Sequence, residues 1–235
     1  MKTIGIIGGM SWESSIEYYR ITNQITRTKL GGLHSSQSVM VSIDFAPVEE
    51  MQSKGDWEAA TKIMVETAKQ VVQGGADFII IATNTMHLMF DAVQKAVDVP
   101  LLHIADATAM KIKDRELHSI GLLGTIFTME MDFYKGRLID NFGINVLVPD
   151  AKDRKIVNQI IYEELVVGKI TEKSKKEYLR IMEDLKNQGA EGIILGCTEI
   201  SPSVNHKDTD ISLFDTTFIH AETAVEVALG EKALG

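Results

Sequence analysis

The feature that most constrains the fold of this chain is an internal repeat. The segment Gly75–Thr85, with Phe-Ile-Ile-Ile at its centre, aligns with Gly189–Thr198, which has Gly-Ile-Ile-Leu at the same place. The opening segment Ile4–Gly9 aligns with Ile120–Thr125 at almost the same offset. Because self-similarity of this kind is the signature of repeated structural units, we expect two similar, pseudo-symmetric lobes.

Short β-rich runs alternate with helical patterns in both halves. The strand patterns lie at Thr3–Ile7, Ser38–Ile43, Phe78–Ala82, Ile120–Leu123, Asn145–Leu147 and Ile193–Leu195. The helical patterns lie at Trp12–Arg27, Trp57–Val72, Thr128–Phe142, Asp153–Val167 and Thr171–Asn187, with Ser11 and Asp56 as caps and Gly74 as a stop signal. Such alternation is typical of a parallel sheet with helices on its faces. The predicted fold class is α/β, with two pseudo-symmetric lobes, each a parallel four-stranded sheet flanked by helices, and an active site in the cleft between them.

The repeat divides the sequence into halves 1–115 and 116–235. The segment Val99–Ala109 can be laid over Ile211–Ala221, and each reads as a short strand followed by a helix. Crossing segments of this kind often pack on the opposite lobe of a two-lobe protein. The predicted domains are therefore a first lobe of residues 1–102 plus 212–235 and a second lobe of residues 103–211.

The composition excludes several classes of function. The formal charge of −9 argues against a nucleic-acid surface, which needs a concentrated basic stripe. No apolar run approaches the roughly 18 residues of a membrane span, and the amino-terminal segment lacks the pattern of a secretory signal. One cysteine excludes an internal disulfide, and the six histidines show no spacing typical of a metal site. We therefore predict a cytoplasmic protein with no metal, no membrane and no nucleic-acid partner.

Polar residues follow the predicted strands at corresponding places in the two halves. They are Gly8–Ser11, Thr83–Thr85, Gly124–Thr125 and Gly196–Glu199. Ligands of open parallel sheets bind beyond the carboxyl ends of the strands. Taken singly, each segment also has a structural interpretation as a tight turn, a helix cap or an inert buried thiol, and His87 is expected to satisfy a local hydrogen bond. Their recurrence in a duplicated frame favours a functional site.

Six motifs spread from the first strand to the last helix make the resemblance to a known family specific. They are Gly8-Gly-Met-Ser-Trp-Glu-Ser, Ser42-Ile-Asp-Phe-Ala-Pro, Thr83-Asn-Thr-Met-His, Leu123-Gly-Thr, Gly196-Cys-Thr-Glu-Ile and Phe214-Asp-Thr-Thr-x-x-His-Ala. Together they resemble the aspartate/glutamate racemase family, whose members use no pyridoxal phosphate. The resemblance implies two pseudo-symmetric α/β lobes and a cysteine at a strand end in each.

The resemblance also implies the roles of individual residues. One thiolate of the family removes the α-proton of the substrate, and the second residue delivers a proton to the opposite face. The matching positions here are Thr83 and Cys197, the predicted catalytic pair. A helix amino terminus beside Cys197 is expected to lower its pKa from about 8.5 towards neutrality. The predicted substrate-binding residues are Met10, Ser11, Gln52, Asn84, Thr85, Thr125, Thr198 and Glu199.

Thr83 is a departure from the two-cysteine pattern. A hydroxyl is a weaker base than a thiolate by many pKa units, but it can still donate a proton to a carbanion. The expected enzyme is therefore one-sided: Cys197 starts the reaction, Thr83 mostly completes it, and L substrates are preferred. This pattern is closest to an L-aspartate/glutamate-specific racemase with Thr in place of the first catalytic Cys.

The substrate implied by the resemblance is a small acidic amino acid, L-aspartate or L-glutamate, and no cofactor is implied. The resemblance implies basic residues near the side-chain carboxylate, in the loop after the Ala-Pro motif and just before the glycine of a Glu-Leu-x-x-Gly helix end. Here these stretches read Glu49-Glu-Met-Gln-Ser-Lys54 and Val166-Val-Gly-Lys169, and Gln52 and Lys169 are the candidate substitutes. A homodimer is compatible with this interpretation. Two alternatives stay open, a single-cysteine decarboxylase of the same superfamily and a catalytically inactive amino-acid-binding protein.

Overall fold

The computed structural model describes residues 1–234. Contacts between residues divide the chain into two units, Met1–Ile104 with the chain from His220 onward, and Ala105–Ile219. The sequence-based division assigned residues 212–219 to the first lobe. In the structure the strand Ser212–Asp215 pairs with Gly192–Gly196 of the second unit, so the boundary falls later, within the last helix.

The first unit contains a parallel sheet of four strands. These are β1 (Ile4–Gly8), β2 (Ser38–Ser42), β3 (Phe78–Ile81) and β4 (Leu101–Leu102), in the order β2-β1-β3-β4. Ile4 of β1 lies opposite Ser38 on one side and Phe78 on the other. β1 and β3 are buried along their whole length, as continuous apolar runs covered on both faces predict.

Helices connect these strands, and their ends agree with the cap signals. They are α1 (Trp12–Leu30), α2 (Phe45–Lys54), α3 (Trp57–Gln73) and α4 (Phe90–Ala96), with a 3-10 helix at Thr85–Met89. Helix α5 (Ile104–Lys113) follows β4 and belongs to the second unit from Ala105 onward. The Ser11 side chain accepts from the Ser14 N–H at the start of α1, and Asp56 accepts from Ala59 N–H at the start of α3. Gly74 ends α3, so these three cap predictions are confirmed.

Helix α2 corrects the prediction of a loop after the Ala-Pro motif. Asp44 caps the helix by accepting from the Ala46 N–H, and Gly55 ends it with a left-handed φ of 70°. Pro47 lies in the first turn, where its missing N–H breaks no helical hydrogen bond. The loop was implied by the family resemblance and not by a pattern in these residues.

The second unit repeats the sheet plan. Its strands are β5 (Ser119–Gly124), β6 (Asn145–Leu147), β7 (Gly192–Gly196) and β8 (Ser212–Asp215), parallel and in the order β6-β5-β7-β8. Its helices are α6 (Ile126–Glu130), α7 (Asp132–Phe142), α8 (Ala151–Glu163) and α9 (Glu172–Asn187), and α10 (Thr216–Leu229) ends the chain's regular structure. The predicted fold, two four-stranded parallel α/β lobes, is confirmed.

Two helices of the second unit differ from their predicted extents. Met131, with extended backbone at φ −82° and ψ 154°, separates α6 from α7, where one helix was expected over Thr128–Phe142. Helix α8 ends at Glu163 and gives way to a 3-10 turn at Leu165–Val167. Neither break contains a glycine or proline, so the local sequence did not predict it.

Alternate residues of the central strand β1 pack on opposite faces of the sheet. Ile4 and Ile6 belong to a core cluster with Tyr18 of α1 and Ala224 of α10, whereas Ile7 packs in a second cluster with helix α3. The same period of two is expected of any strand buried on both faces. Strand β1 is therefore anchored from both sides, and the segment just beyond its carboxyl end is held in a defined position.

Candidate active site

In the first unit, the turn after β1 is held closely against neighbouring backbone. Gly9 has φ +95°, and a Cβ there would lie 2.1 Å from the Ile43 carbonyl oxygen, so only glycine fits. The Gly9 N–H donates to Ser15 Oγ at 2.7 Å, and Ser15 Oγ donates to the Ser11 carbonyl oxygen at 3.0 Å. The predicted binding residues Met10 and Ser11 are 4% exposed, and the Ser11 side chain caps α1.

Thr83 lies just beyond the adjacent strand β3. The Ala82 N–H donates to the Ile7 carbonyl oxygen at 2.9 Å, which brings the end of β3 beside the turn after β1. Thr83 is half-buried, whereas Asn84 and Thr85 are buried at the start of the 3-10 helix Thr85–Met89. The structure thus places the Thr-Asn-Thr motif at the carboxyl edge of the first sheet, as the sequence predicts.

Gln52 approaches the same edge from helix α2. It is 4% exposed, and its amide nitrogen lies 3.0 Å from Met86 Sδ, within the 3-10 helix that follows Thr83. Lys169, the other candidate for holding a substrate side chain, lies exposed in the second unit beyond the turn at Leu165–Val167. Gln52 is thus packed against a segment of the Thr83 motif.

In the second unit, Thr125 and Cys197 occupy the corresponding strand ends. Gly124 of β5 lies opposite Gly196 of β7, and a Cβ on Gly196 would meet the Leu123 carbonyl oxygen at 2.8 Å. The Thr125 side chain caps helix α6 by accepting from the Thr128 N–H. The close approach of the two strands, which requires glycine, brings Thr125 and Cys197 to one edge of the second sheet.

The Cys197 thiol is hydrogen-bonded to a carboxylate. Cys197 is 8% exposed, and its Sγ donates to Glu199 Oε2 at 2.9 Å. The Thr198 hydroxyl donates to the same oxygen at 2.7 Å. Two donors therefore converge on one carboxylate oxygen, which holds it beside the sulfur. The sequence prediction gave Glu199 a substrate-binding role and did not foresee this contact.

The pKa of the Cys197 thiol is raised well above its ordinary value, which contradicts the expected lowering. Burial is the largest cause, followed by the negative charge of Glu199 and by the hydrogen bond to that carboxylate. Backbone N–H groups of Thr198 and Glu199 act in the opposite direction and are outweighed. Turns follow Cys197 in place of the expected helix, so no helix amino terminus supports the thiolate.

Tyr178 of helix α9 is a site neighbour that sequence reasoning missed. Its side chain is fully buried in the core cluster that contains Cys197, and its hydroxyl has no hydrogen-bond partner among the described residues. Burial raises the pKa of the phenol well above its ordinary value, and the charges of Cys197 and Glu199 add to the effect. A tyrosine within an amphipathic helix carries no sequence signal that separates it from ordinary core residues.

Within residues 1–234, no three His, Cys, Asp or Glu side chains come together in a way that could hold a metal ion. No helix in the same range combines the length and the apolar character needed to cross a bilayer.

Comparison with known proteins identifies the family. Residues 7–224 match the family model of Asp/Glu/hydantoin racemases. A crystal structure from Yersinia pestis, provisionally assigned as an Asp/Glu racemase, is 50% identical over 97% of this chain and 100% of its own, with a TM-score of 0.91. An aspartate racemase homologue from Pyrococcus horikoshii is 38% identical over 97% of this chain and 100% of its own, with a TM-score of 0.84.

A curated relative is more distant. The broad specificity amino-acid racemase RacX of Bacillus subtilis is 26% identical over 174 residues, which is 74% of each chain. With the family model matching nearly the whole chain, this protein belongs to the Asp/Glu/hydantoin racemase family. It is an isomerase, an amino-acid racemase, and the resemblance seen in its motifs is confirmed.

Proposed function

We propose that this racemase acts on an acidic amino acid, aspartate or glutamate, without a cofactor and preferentially from the L enantiomer. The aspartate racemase homologue at 38% identity supports an acidic substrate, while the broad specificity of the Bacillus relative supports testing several amino acids. The observation that carries the proposal is the contact of the only thiol with a carboxylate at a strand end, Cys197 Sγ to Glu199 Oε2 at 2.9 Å.

Cys197 is the proposed base, and Glu199 the acceptor of its proton. The thiol holds its proton at neutral pH because its pKa is raised, so the resting group cannot itself remove an α-proton. Transfer of the thiol proton to Glu199 produces the thiolate, which then takes the substrate's α-proton and leaves a carbanion delocalised onto the substrate carboxylate. The N–H groups of Thr198 and Glu199 hydrogen-bond the thiolate and support its formation.

Thr83 is the proposed proton donor to the opposite face of the carbanion. Its hydroxyl gives up a proton to the strongly basic α-carbon, and the D enantiomer results. The hydroxyl's own proton is then restored from water, and the hydroxide that this leaves takes up the proton held by Glu199, which returns the site to its resting state. In the reverse direction Thr83 would have to remove an α-proton, for which an alkoxide is required at a cost of many pKa units relative to a thiolate. The proposed enzyme is for this reason biased towards L substrates.

The substrate carboxylates need hydrogen-bond donors that are already in place, because a preorganised donor stabilises developing charge without reorganisation. Asn84 and Thr85 beside Thr83 are the proposed donors for the α-carboxylate. The Thr198 hydroxyl beside Cys197 already donates its single proton to Glu199, so its proposed contact with the substrate is as an acceptor. Gln52, with the strand-end residues Met10, Ser11 and Thr125, remains a proposed contact for the rest of the substrate.

The decisive experiment is incubation with L-Asp and L-Glu in deuterated water, without added pyridoxal phosphate or metal. Proton NMR measures α-deuterium incorporation, and chiral chromatography measures the D product. We expect both signals for at least one of the two substrates and neither for the Cys197→Ala variant. Deuterium incorporation without D product would show exchange of the α-proton without inversion and would contradict racemisation of that substrate. The absence of both signals would refute the proposal as a whole.

A further inference from the structure

His87 is a buried histidine directly behind the proposed proton donor. It belongs to the 3-10 helix Thr85–Met89 and is 2% exposed. Its Nδ1 lies 2.8 Å from the Thr83 carbonyl oxygen, and its Nε2 lies 3.2 Å from the Ile104 N–H, at the first residue of helix α5. One imidazole thus joins the end of β3 to the start of α5, all within the first unit.

The two contacts define the tautomer of His87. A backbone N–H can only donate, so Nε2 carries a lone pair and accepts from Ile104. A carbonyl oxygen can only accept, so Nδ1 carries the proton and donates to Thr83. The ring is therefore neutral, with both nitrogens engaged in structural hydrogen bonds. This arrangement excludes His87 as an acid or base for the substrate while both bonds are intact.

Neighbouring aromatic and imidazole rings hold His87 in place. The His103 ring lies 4.6 Å from it, the His220 ring 5.8 Å, and Phe90 stacks on it at 6.3 Å. His220 is neutral as well, because burial lowers its pKa to about 4, and its Nε2 donates to the Leu102 carbonyl oxygen at 3.0 Å while Nδ1 accepts from Tyr18 Oη at 2.9 Å. The ring of His87 consequently has little freedom to turn.

We propose that His87 is the residue that positions Thr83 for proton delivery. The hydrogen bond to the Thr83 carbonyl oxygen fixes the plane of the Thr83–Asn84 peptide. Because that peptide is trans, its N–H points away from His87, in the direction opposite to the carbonyl. The Thr83 hydroxyl leaves the same Cα on a β-branched side chain with few allowed rotamers, so fixing the backbone also limits where the hydroxyl points.

This role rests on the proposed function, and it has a consequence that a merely structural role of His87 would not have. A carbanion formed by Cys197 has two fates: reprotonation by Thr83 produces the D enantiomer, and reprotonation by Cys197 returns the L enantiomer. If His87 positions Thr83, loss of its bond to Thr83 shifts this partition towards return. In a variant that is only less stable, the rates of both reprotonations fall by the same factor, because both require the folded enzyme.

Two substitutions separate the two hydrogen bonds of the ring. The amide nitrogen of Asn occupies approximately the place of Nδ1, so His87→Asn retains a donor to Thr83 and loses the acceptor for Ile104. The amide oxygen of Gln approximates Nε2, so His87→Gln retains the acceptor and loses the donor. Both variants leave one of the two groups unpaired, which makes their costs in stability comparable and their effects on partition different.

The measurement is the ratio of D product to α-deuterated L substrate, taken from early time points in deuterated water. We expect His87→Gln to lower this ratio about tenfold or more, since small misplacements of a reacting group cost up to about a hundredfold in rate. His87→Asn is expected to stay within about threefold of the wild type. Tyr18→Phe is the control, because it removes the hydroxyl from His220 in the same ring cluster and leaves the Thr83 contact intact.

Each outcome decides the role of His87. A wild-type ratio in folded His87→Gln overturns it, as does an equal fall in Tyr18→Phe. If His87→Gln does not fold, His87→Asn still tests the idea. A folded His87→Asn variant keeps the bond to Thr83, so a large fall in its ratio of D product to α-deuterated L substrate would show that this bond does not set the ratio. A wild-type enzyme without exchange or inversion refutes the proposed function and the role together.

Discussion

Replacing Glu199 by Gln is the sharpest test of how the thiol is activated. Glu199 Oε2 accepts hydrogen bonds from the Cys197 thiol at 2.9 Å and from the Thr198 hydroxyl at 2.7 Å. The amide oxygen of Gln is nearly isosteric and can still accept both bonds. It cannot take up the thiol proton, however, and it carries no charge. The substitution therefore removes the basicity of the group and leaves its position intact.

The size of the effect follows from the contact. A positioned general base contributes about 10²- to 10⁴-fold to a proton-transfer step. A hydrogen bond to a charged partner is worth about 1.5–3 kcal/mol, which corresponds to roughly ten- to hundredfold in rate. We expect Glu199→Gln to lower kcat for L-Asp or L-Glu by about a hundredfold. Initial rates measured by chiral chromatography at saturating substrate provide the value.

A matched control exists in the same unit. Glu164 Oε2 also accepts two hydroxyl hydrogen bonds, from Thr171 at 3.1 Å and from Ser174 at 2.7 Å. Glu164→Gln makes the same chemical change at a helix junction that has no proposed part in the reaction. Both variants are expected to lose a similar free energy of unfolding in urea, about 1 kcal/mol. Only Glu199→Gln is expected to lose racemisation.

Alkylation by iodoacetamide adds a second, opposite readout. The charge of Glu199 is one cause of the raised pKa of Cys197, so its removal lowers that pKa and increases the thiolate fraction at pH 7–8. In the wild type, the alkylation rate should rise with pH through a value above the ordinary thiol pKa of about 8.5. In Glu199→Gln the profile should move to lower pH while racemisation falls. A kcat within threefold of the wild type, or a profile that moves to higher pH, would refute the proposed role of Glu199.

Further expectations concern the two catalytic positions, the buried phenol and cofactors. Cys197→Ala should abolish turnover without unfolding the protein and Cys197→Ser should be nearly as inactive, so appreciable racemisation by either in the chiral assay would overturn the base assignment. Thr83→Cys should open the reaction from the D side, and rates with D-Asp and D-Glu no higher than those of the wild type would contradict the donor role of Thr83. Tyr178→Phe should raise the free energy of unfolding in urea by about 1 kcal/mol, because it removes a buried hydroxyl with no partner among the described residues; a loss of stability would contradict that description. Racemisation should be unchanged by chelators and by added pyridoxal phosphate, and activity that is lost on dialysis and recovered with a metal would contradict this.

Local patterns predicted most of the architecture. Continuous apolar runs such as Phe78–Ile81 are buried strands, and Ser11 and Asp56 cap the helices that the sequence assigned to them. The internal repeat predicted two lobes of the same plan, and both sheets have four parallel strands in corresponding order. These features depend on side-chain periodicity and on hydrogen bonds between near neighbours, and both are legible in a single sequence.

Where elements end or change partners was harder to predict. The break at Met131 lies between two helices that the pattern joined, and residues 212–219 belong to the second unit, although the expectation that crossing segments pack on the opposite lobe assigned them to the first. The second is settled by the pairing of the strand Ser212–Asp215 with Gly192–Gly196, a contact between separate segments of the chain. The catalytic positions Thr83 and Cys197, by contrast, remain predictions that the proposed experiments address, because a motif identifies a residue type and not its action.

The chemistry of the strand ends was decided by tertiary structure. The sequence determined that a lone thiol, Cys197, follows a buried strand, and a nearby helix amino terminus was the expected source of its activation. The fold instead surrounds the thiol with apolar core and adds the carboxylate of Glu199, so its pKa is raised. In the same way His87 is linked to Ile104, a residue far along the chain. Burial of the thiol and the turn that brings Glu199 back onto it set the electrostatic environment of Cys197, and neither follows from the identity of the neighbouring residues alone.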